Sequence, residues 1–364
     1  GTWALGTNST GTQNTAVGMN ALYANTTGGY NIAVGGGALD ANTTASWNTA
    51  LGYDALGTNT TGYGNVAIGY QALFDQTTGG PNTAVGQSSL ANNTTAWGNT
   101  SVGYYSSHNN TTGANNCALG NEALEANTTG SQNTAIGFRA LEANTTGSNN
   151  TAVGYNTLLV NTTGYQNVAL GRDAMISNTT GHRNVAVGLD ALNDCTTGTY
   201  NVAVGSYSMD SATTGSTNTA IGMHSLGGVT IGSHNTAVGY DAGKGITEAT
   251  WNTAIGYQAL DAACTGLSNS ALGAFSLSAN TSGQENVACG NNALNANTTG
   301  NYNVSVGRQS LQANTTASNN TACGYRSLYS NTTAGNNTAL GFQSLYVNTT
   351  GANNTAVGAY SLDA

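Results

Sequence analysis

The residues able to do chemistry are few: 15 Asp and Glu, 6 Lys and Arg, 4 His and 5 Cys among 364 residues. Asp54, Glu122, Arg139, Asp173, Asp190, Asp241 and Arg326 all stand two places after a recurring Gly, and Arg172 and Arg308 one place after it. Asp40, Glu125, Glu142 and Asp261 follow a recurring Leu. These places vary freely in residue type, as solvent-facing places do. No carboxylate pair recurs, so paired general acid and base work has no support. His108, His182, His224 and His234 fall in different contexts and read as surface residues. The cysteines Cys117, Cys195, Cys264, Cys289 and Cys323 are odd in number and form no CxxC, which argues against a zinc site. Gly243-Lys244-Gly245 lacks the order of a phosphate loop. Catalysis, cofactors and metals are therefore not expected.

Three repeated surface signals remain. Each Asn-Thr-Thr, as at Asn25, Asn42, Asn59, Asn127 and Asn348, is formally an N-glycosylation sequon. The first Thr of that triplet (Thr26, Thr43, Thr60) forms a rank of the kind that could order water, which opens an ice-binding reading. Aromatic residues often follow the recurring Gly, at Tyr53, Tyr70, Tyr104, Tyr155, Tyr240, Tyr257 and Tyr325. They make a partial stripe that either stiffens the molecule by stacking or offers a surface to sugars and apolar patches.

The element that positions all of these is a repeat. Asn14, Asn31 and Asn48 begin a series of 21 asparagines spaced by 17 residues, with no insertion or deletion. Four places on, Gly18, Gly35 and Gly52 begin an equally unbroken series of 21 glycines. A constant period is what a stack demands, because one extra residue would break the lateral hydrogen bonds of every later coil. The spacing predicts an all-β chain, a parallel β-solenoid of about 21 coils with two or three short strands per coil. Residues 1–364 read as one continuous array, irregular near 226–250, that begins and ends partway through a repeat, as a piece of a longer fibre would. The Asn series is expected to cap backbone in a ladder, and the Gly series to turn corners.

In each N-[TV]-A-[VIL]-G phrase the aliphatic places share one strand face and the small places the other. The expected core is Val17, Leu22, Val34, Leu39 and their equivalents, Cys289 and Cys323 standing in for Val. Those two cysteines lie two coils apart, roughly 9–10 Å, too far for a disulfide. The Ala16 face is expected to pack on something close, such as a neighbouring chain. Composition sets further limits. Charged residues are only 6% and the net charge is −9, which disfavours nucleic acid as partner. No apolar run is long enough to cross a membrane.

The phrase N-T-A-V-G-x-x-A-L resembles the N-S-V-A-I-G type repeat of YadA-like trimeric autotransporter adhesin heads. It is similar as well to repeats of bacterial and phage tail-fibre-like proteins that precede a self-cleaving chaperone domain. The resemblance covers essentially the whole chain. It implies a left-handed β-roll, a homotrimer, and a place outside the cell or on a virion. It implies a structural and adhesive role, with cell-surface, matrix or glycan receptors as partners. It implies a core at Thr15 and Val17, with close contacts at Ala16 and Ala21.

Overall fold

The structure is a computed structural model and describes residues 1–363. It divides into two compact units, residues 1–183 and 184–364. The first holds ten strands, β1 (Thr15–Val17) to β10 (Val168–Leu170). The second holds eleven, β11 (Val185–Val187) to β21 (Thr355–Val357). Among the described residues there is no helix. Each unit is a parallel β-solenoid in which a strand pairs with its equivalent one coil away. Thr15, Ala16 and Val17 stand opposite Ile32, Ala33 and Val34 in the first unit, and Val202, Ala203 and Val204 opposite Thr219, Ala220 and Ile221 in the second. The 17-residue coil read from the spacing is the unit of construction.

Each coil has one strand of three residues, not two or three strands. Let the opening Asn be position 1 of a coil. Positions 7, 9 and 17 then take left-handed backbone: Asn20, Leu22 and Tyr30 have φ of 58°, 55° and 60°. Left-handed residues break β pairing, so most of the circumference is turn. Coil-to-coil bonding nevertheless runs all the way round. Leu22 N–H donates to Ala38 C=O at 2.9 Å, Ala24 N–H to Asp40 C=O at 2.9 Å, and Thr26 N–H to Thr43 C=O at 2.8 Å. The left-handed residues at positions 7 and 17 donate the other way, as Asn20 N–H does to Thr2 C=O and Tyr30 N–H to Thr12 C=O, each at 3.0 Å.

The core corrects the expected strand orientation. Leu22 and Leu39 are fully buried, as expected, but Val17 is 56% exposed and Val34 only half-buried. The alanines of the strand centre point inward instead, Ala33 and Ala50 being fully buried against the Ala38–Leu39 and Ala55–Leu56 segments. A coil of 17 residues is too thin to hold two ranks of aliphatic side chains. The opposite wall comes so near that only the small face of the strand fits inside. The close contact foreseen for the Ala face is with the chain's own far wall. Cys289 and Cys323 follow their column outward and are exposed, not core.

The glycines of position 5 are fixed twice over. Their φ lies between 122° and 146°, a region that only glycine occupies without strain. A Cβ on Gly137 would stand 2.7 Å from the carbonyl carbon of Gly154 and nearer still to its oxygen. Gly137→Ala is therefore expected to destabilise the first unit by at least about 1–3 kcal/mol from backbone strain alone. Urea unfolding followed by circular dichroism measures this, with the exposed Thr129→Ala as the control expected to change little.

Candidate functional site

Two asparagine columns run inside each unit. At position 1, Asn14 Oδ1 accepts the Asn31 backbone N–H at 3.0 Å, and Asn31 Oδ1 accepts that of Asn48 at 3.0 Å. The amide nitrogens reach across the coil, Asn14 Nδ2 to Gly28 C=O at 2.8 Å and Asn31 Nδ2 to Ala45 C=O at 2.9 Å. The expected capping role is present, made by side chain to backbone more than by amide to amide.

The amide-to-amide ladder belongs to position 12, the Asn of Asn-Thr-Thr. Asn42 Nδ2 donates to Asn25 Oδ1 at 2.8 Å, Asn144 Nδ2 to Asn127 Oδ1 at 2.8 Å, and Asn161 Nδ2 to Asn144 Oδ1 at 2.8 Å. Each also closes its own corner, as Asn144 Nδ2 does on Gly147 C=O at 3.0 Å. Asn25, Asn42, Asn59 and Asn127 are fully buried. Folded, these sequons present no nitrogen to a glycan. The signal available to the sequence was the fixed spacing of the column. The local motif drew attention to the surface instead.

Where the ladder is interrupted, the defects follow from donor and acceptor counts. Gln76 is one methylene too long for its place, and the buried Asn59 Oδ1 and Gln76 Nε2 are left without hydrogen-bond partners. In the second unit the place of this column is taken by five apolar residues in succession: Cys195, Ala212, Val229 and Ile246 at position 12, then Cys264 at position 13, all fully buried. It returns to amides at Asn280, which closes its own corner on Gly283 C=O at 2.9 Å, donates to Cys264 Sγ at 3.5 Å, and accepts from Asn297 Nδ2 at 2.9 Å. The irregular coils foreseen near 226–250 lie within this block. Gly243 replaces Leu, and a Cβ there would stand 2.9 Å from Leu226 and 3.2 Å from Ile246, so Ile246 fills the volume that the missing Leu would take. Ile246 bridges to Cys264, a slip of one residue from the 17-residue register. Burial pushes the Cys195 thiol up to about 11, as expected of an inert core thiol.

The threonine column of position 13 is also committed. Thr26 Oγ1 donates to Thr43 C=O at 3.0 Å, Thr43 to Thr60 C=O at 3.2 Å, and Thr60 to Thr77 C=O at 3.1 Å. The next residue, Thr27 and its equivalents, is the exposed one, and Ile231 and Glu248 break that rank.

The aromatic stripe forms short islands. Tyr53 stacks on Tyr70 with centroids 5.8 Å apart, and Tyr240 on Tyr257 at 5.5 Å. Phe138 stacks on Tyr155 and Tyr325 on Phe342, both at 5.3 Å. Tyr104 turns to its neighbour Tyr105 at 4.4 Å. Arg326 lies 5.1 Å from the Tyr325 ring. The histidines are not isolated: His182 stacks on Tyr165 at 4.5 Å, His224 on Tyr207 at 5.1 Å, and His234 lies against Trp251 at 5.9 Å. Each of these pairs is 17 residues apart, a match that the column alignment contained.

The charged columns carry structure-supporting contacts. Glu122, Glu125 and Glu142 have carboxylate oxygens within 4.8 Å of one another. Arg139 lies among them, 3.4 Å from Glu122 and donating to Glu142 Oε1 at 2.8 Å, so the cluster has its own cation. Lys244, the lysine of the Gly-Lys-Gly stretch, pairs with Asp241 at 3.2 Å. Burial raises the carboxyl pKa values of Asp40, Asp54, Glu125, Asp210 and Asp261; neighbouring Asp54 adds to the effect on Asp40, and Glu122 and Glu142 to that on Glu125.

Two outcomes follow. Gln76→Asn is expected to restore the ladder and stabilise the first unit by about 1–2 kcal/mol, measured by urea unfolding. Acid is expected to stabilise as well. A carboxyl whose pKa is raised by folding binds its proton more tightly in the folded chain. Its contribution is complete below the ordinary values of 3.8 for Asp and 4.5 for Glu, and is lost as pH rises through the raised folded values. The melting temperature should therefore rise as pH falls from neutrality into the carboxylate range; a falling melting temperature there would contradict the shifts.

No protein-family model matches the chain, and a search of the curated proteins finds no match. The functional reading therefore rests on the geometry and on the repeat itself.

Proposed function

We propose that the chain is a segment of a structural and adhesive fibre, shaft or head, displayed outside the cell or on a virion and assembled as a homotrimer. The role follows from display, not catalysis: many identical, weakly binding places act together through multivalency. One observation carries the reading. Nearly every polar side chain with a fixed place in the coil, Asn14, Asn25 and Thr26 among them, is spent on a bond to the neighbouring coil. Coils so joined resist being pulled apart along the direction in which they are stacked, which is what a fibre needs. The stacked rings of Tyr53–Tyr70 and Phe138–Tyr155 supply flat exposed faces of the kind that sugars and apolar surfaces meet.

An ice-binding solenoid is the other reading that the threonine rank raises. The geometry favours the fibre, because the Thr26 column spends its hydroxyl protons on carbonyl groups of the next coil. That leaves one exposed threonine rank, interrupted at Ile231 and Glu248.

Immunogold electron microscopy with an antibody to this chain is expected to label fibres projecting from a cell or particle. Solutions of the purified chain are expected to show no thermal hysteresis. Label confined to the cell interior, or hysteresis with shaped ice crystals, overturns the proposal.

A further inference from the structure

The outward face of the strands is unusual in what it leaves out. Its two columns, positions 2 and 4, comprise 42 places, and every one holds Thr, Ser, Cys, Val, Ile or Leu. No charge and no amide occurs there. Thirteen of the 15 carboxylates stand instead at positions 7, 10 and 11. Aromatic residues border the strand on both sides. Around one strand of the first unit Trp47, Leu51 and Tyr53 are 63%, 46% and 55% exposed, with Thr49 half-buried between them. The second unit repeats the pattern at Trp251, Ile255 and Tyr257, at 60%, 38% and 48%. The core is not what keeps these residues apolar, since the core is filled by Ala and Leu from the other side of the strand.

We infer that this strand face is an interface for a second copy of this chain. The inference rests on the fibre reading and names the surface through which such a fibre assembles. Three observations select this occupant. The first is charge: chains of net charge −9 repel, and the strand face is where they can meet without bringing carboxylates together. The second is period: the face is a comb with one tooth per coil, and a partner must carry the same step over ten coils to interlock with it. The chain's own face has that step, and aligned sheets pack face to face at about 10 Å. The third is size. Ten strands at about 4.8 Å, each offering a band roughly 10–15 Å wide, give roughly 500–700 Å² in one unit. That approaches the roughly 800 Å² per partner of a stable interface and stands at the upper end of the roughly 300–600 Å² patch that a monomer ordinarily leaves open. The alternation of Thr with Val at position 2 and of Val with Leu or Ile at position 4 supplies teeth of unequal height, which fix the register between copies. Cys289 and Cys323 stand exposed in position 4 and serve as native reporters, because two copies in parallel register bring each cysteine beside its counterpart.

The test compares the mass in solution of the full chain with that of two variants, by light scattering coupled to size exclusion. The wild-type chain is expected at two or more times its 36.4 kDa. Leu51→Lys with Val102→Lys is expected to reduce it to the single-chain mass, while Thr44→Lys with Thr95→Lys, on the exposed position 14, leaves association intact. If the face variant fails to fold by circular dichroism, Leu51→Thr with Val102→Thr keeps β-branched residues in the strand and is expected to weaken association about tenfold or more. A short bis-maleimide crosslinker, which bridges thiols too far apart for a disulfide, should link wild-type chains covalently, and Cys289→Ser with Cys323→Ser should abolish most of that product. A wild-type chain at single-chain mass at every concentration, or face variants that associate like wild type, overturns the inference. The fibre reading fails separately: associated chains found only inside cells would sink it and leave the interface standing, whereas single chains on projecting fibres would do the reverse.

Discussion

Register between neighbouring coils is the constraint on which everything else in this protein depends. The backbone of each coil donates to the next coil or the previous one around its whole circumference, and most of those bonds are not in a recognised strand. A β-sheet tolerates a bulge because its neighbours can absorb one extra residue. Here the same strand, turn and corner are bonded at once, so an added residue would displace all of them together. At Gly18, Gly35 and Gly52 the coils touch so closely that no side chain fits between them. Among the described residues the slip falls at Ile246 and Cys264, where the coil has already lost its Leu and its Asn.

That closeness has a conformational cost. Three residues per coil are left-handed, including the buried Leu, and each non-glycine residue so held costs about 1–2 kcal/mol. Such a cost is sustained only when the surroundings over-determine the conformation. At Leu22 the surroundings do so: the side chain is fully buried and its N–H is bonded to Ala38 C=O. The amide columns add to this by satisfying the carbonyl groups of the tight corner, which would otherwise be buried unpaired. The replacement of asparagine by five successive apolar residues from Cys195 to Cys264 obeys the same rule. A ladder amide alone among apolar neighbours would bury donors without acceptors, so the column changes character as a block.

The surface divides accordingly. One side of the strand is reserved for packing inside the coil and is therefore small. The other is freed from that duty, yet remains apolar along both units. The acidic residues lie on the turns beside the left-handed positions, where burial against the coil raises several of their pKa values. Aromatic rings and histidines stack on partners one coil away, so even the exposed groups are organised by the period.

The sequence by itself determined the period, the parallel all-β stacking and the places where glycine is required, because a repeat without insertions leaves only one-over-one registry as an explanation. It also determined that Leu22 and Leu39 lie in the core. Only the tertiary structure decided which face of the strand points inward. Alternation with a period of two divides a strand into two faces but does not say which is inside. The width of the coil makes that choice, and it admits Ala33 while turning Val17 out. The tertiary structure likewise decided that the asparagines of Asn-Thr-Thr are an internal ladder. The local motif is the same for an exposed and a buried amide, and only the closure of the 17-residue loop brings the far corner over it.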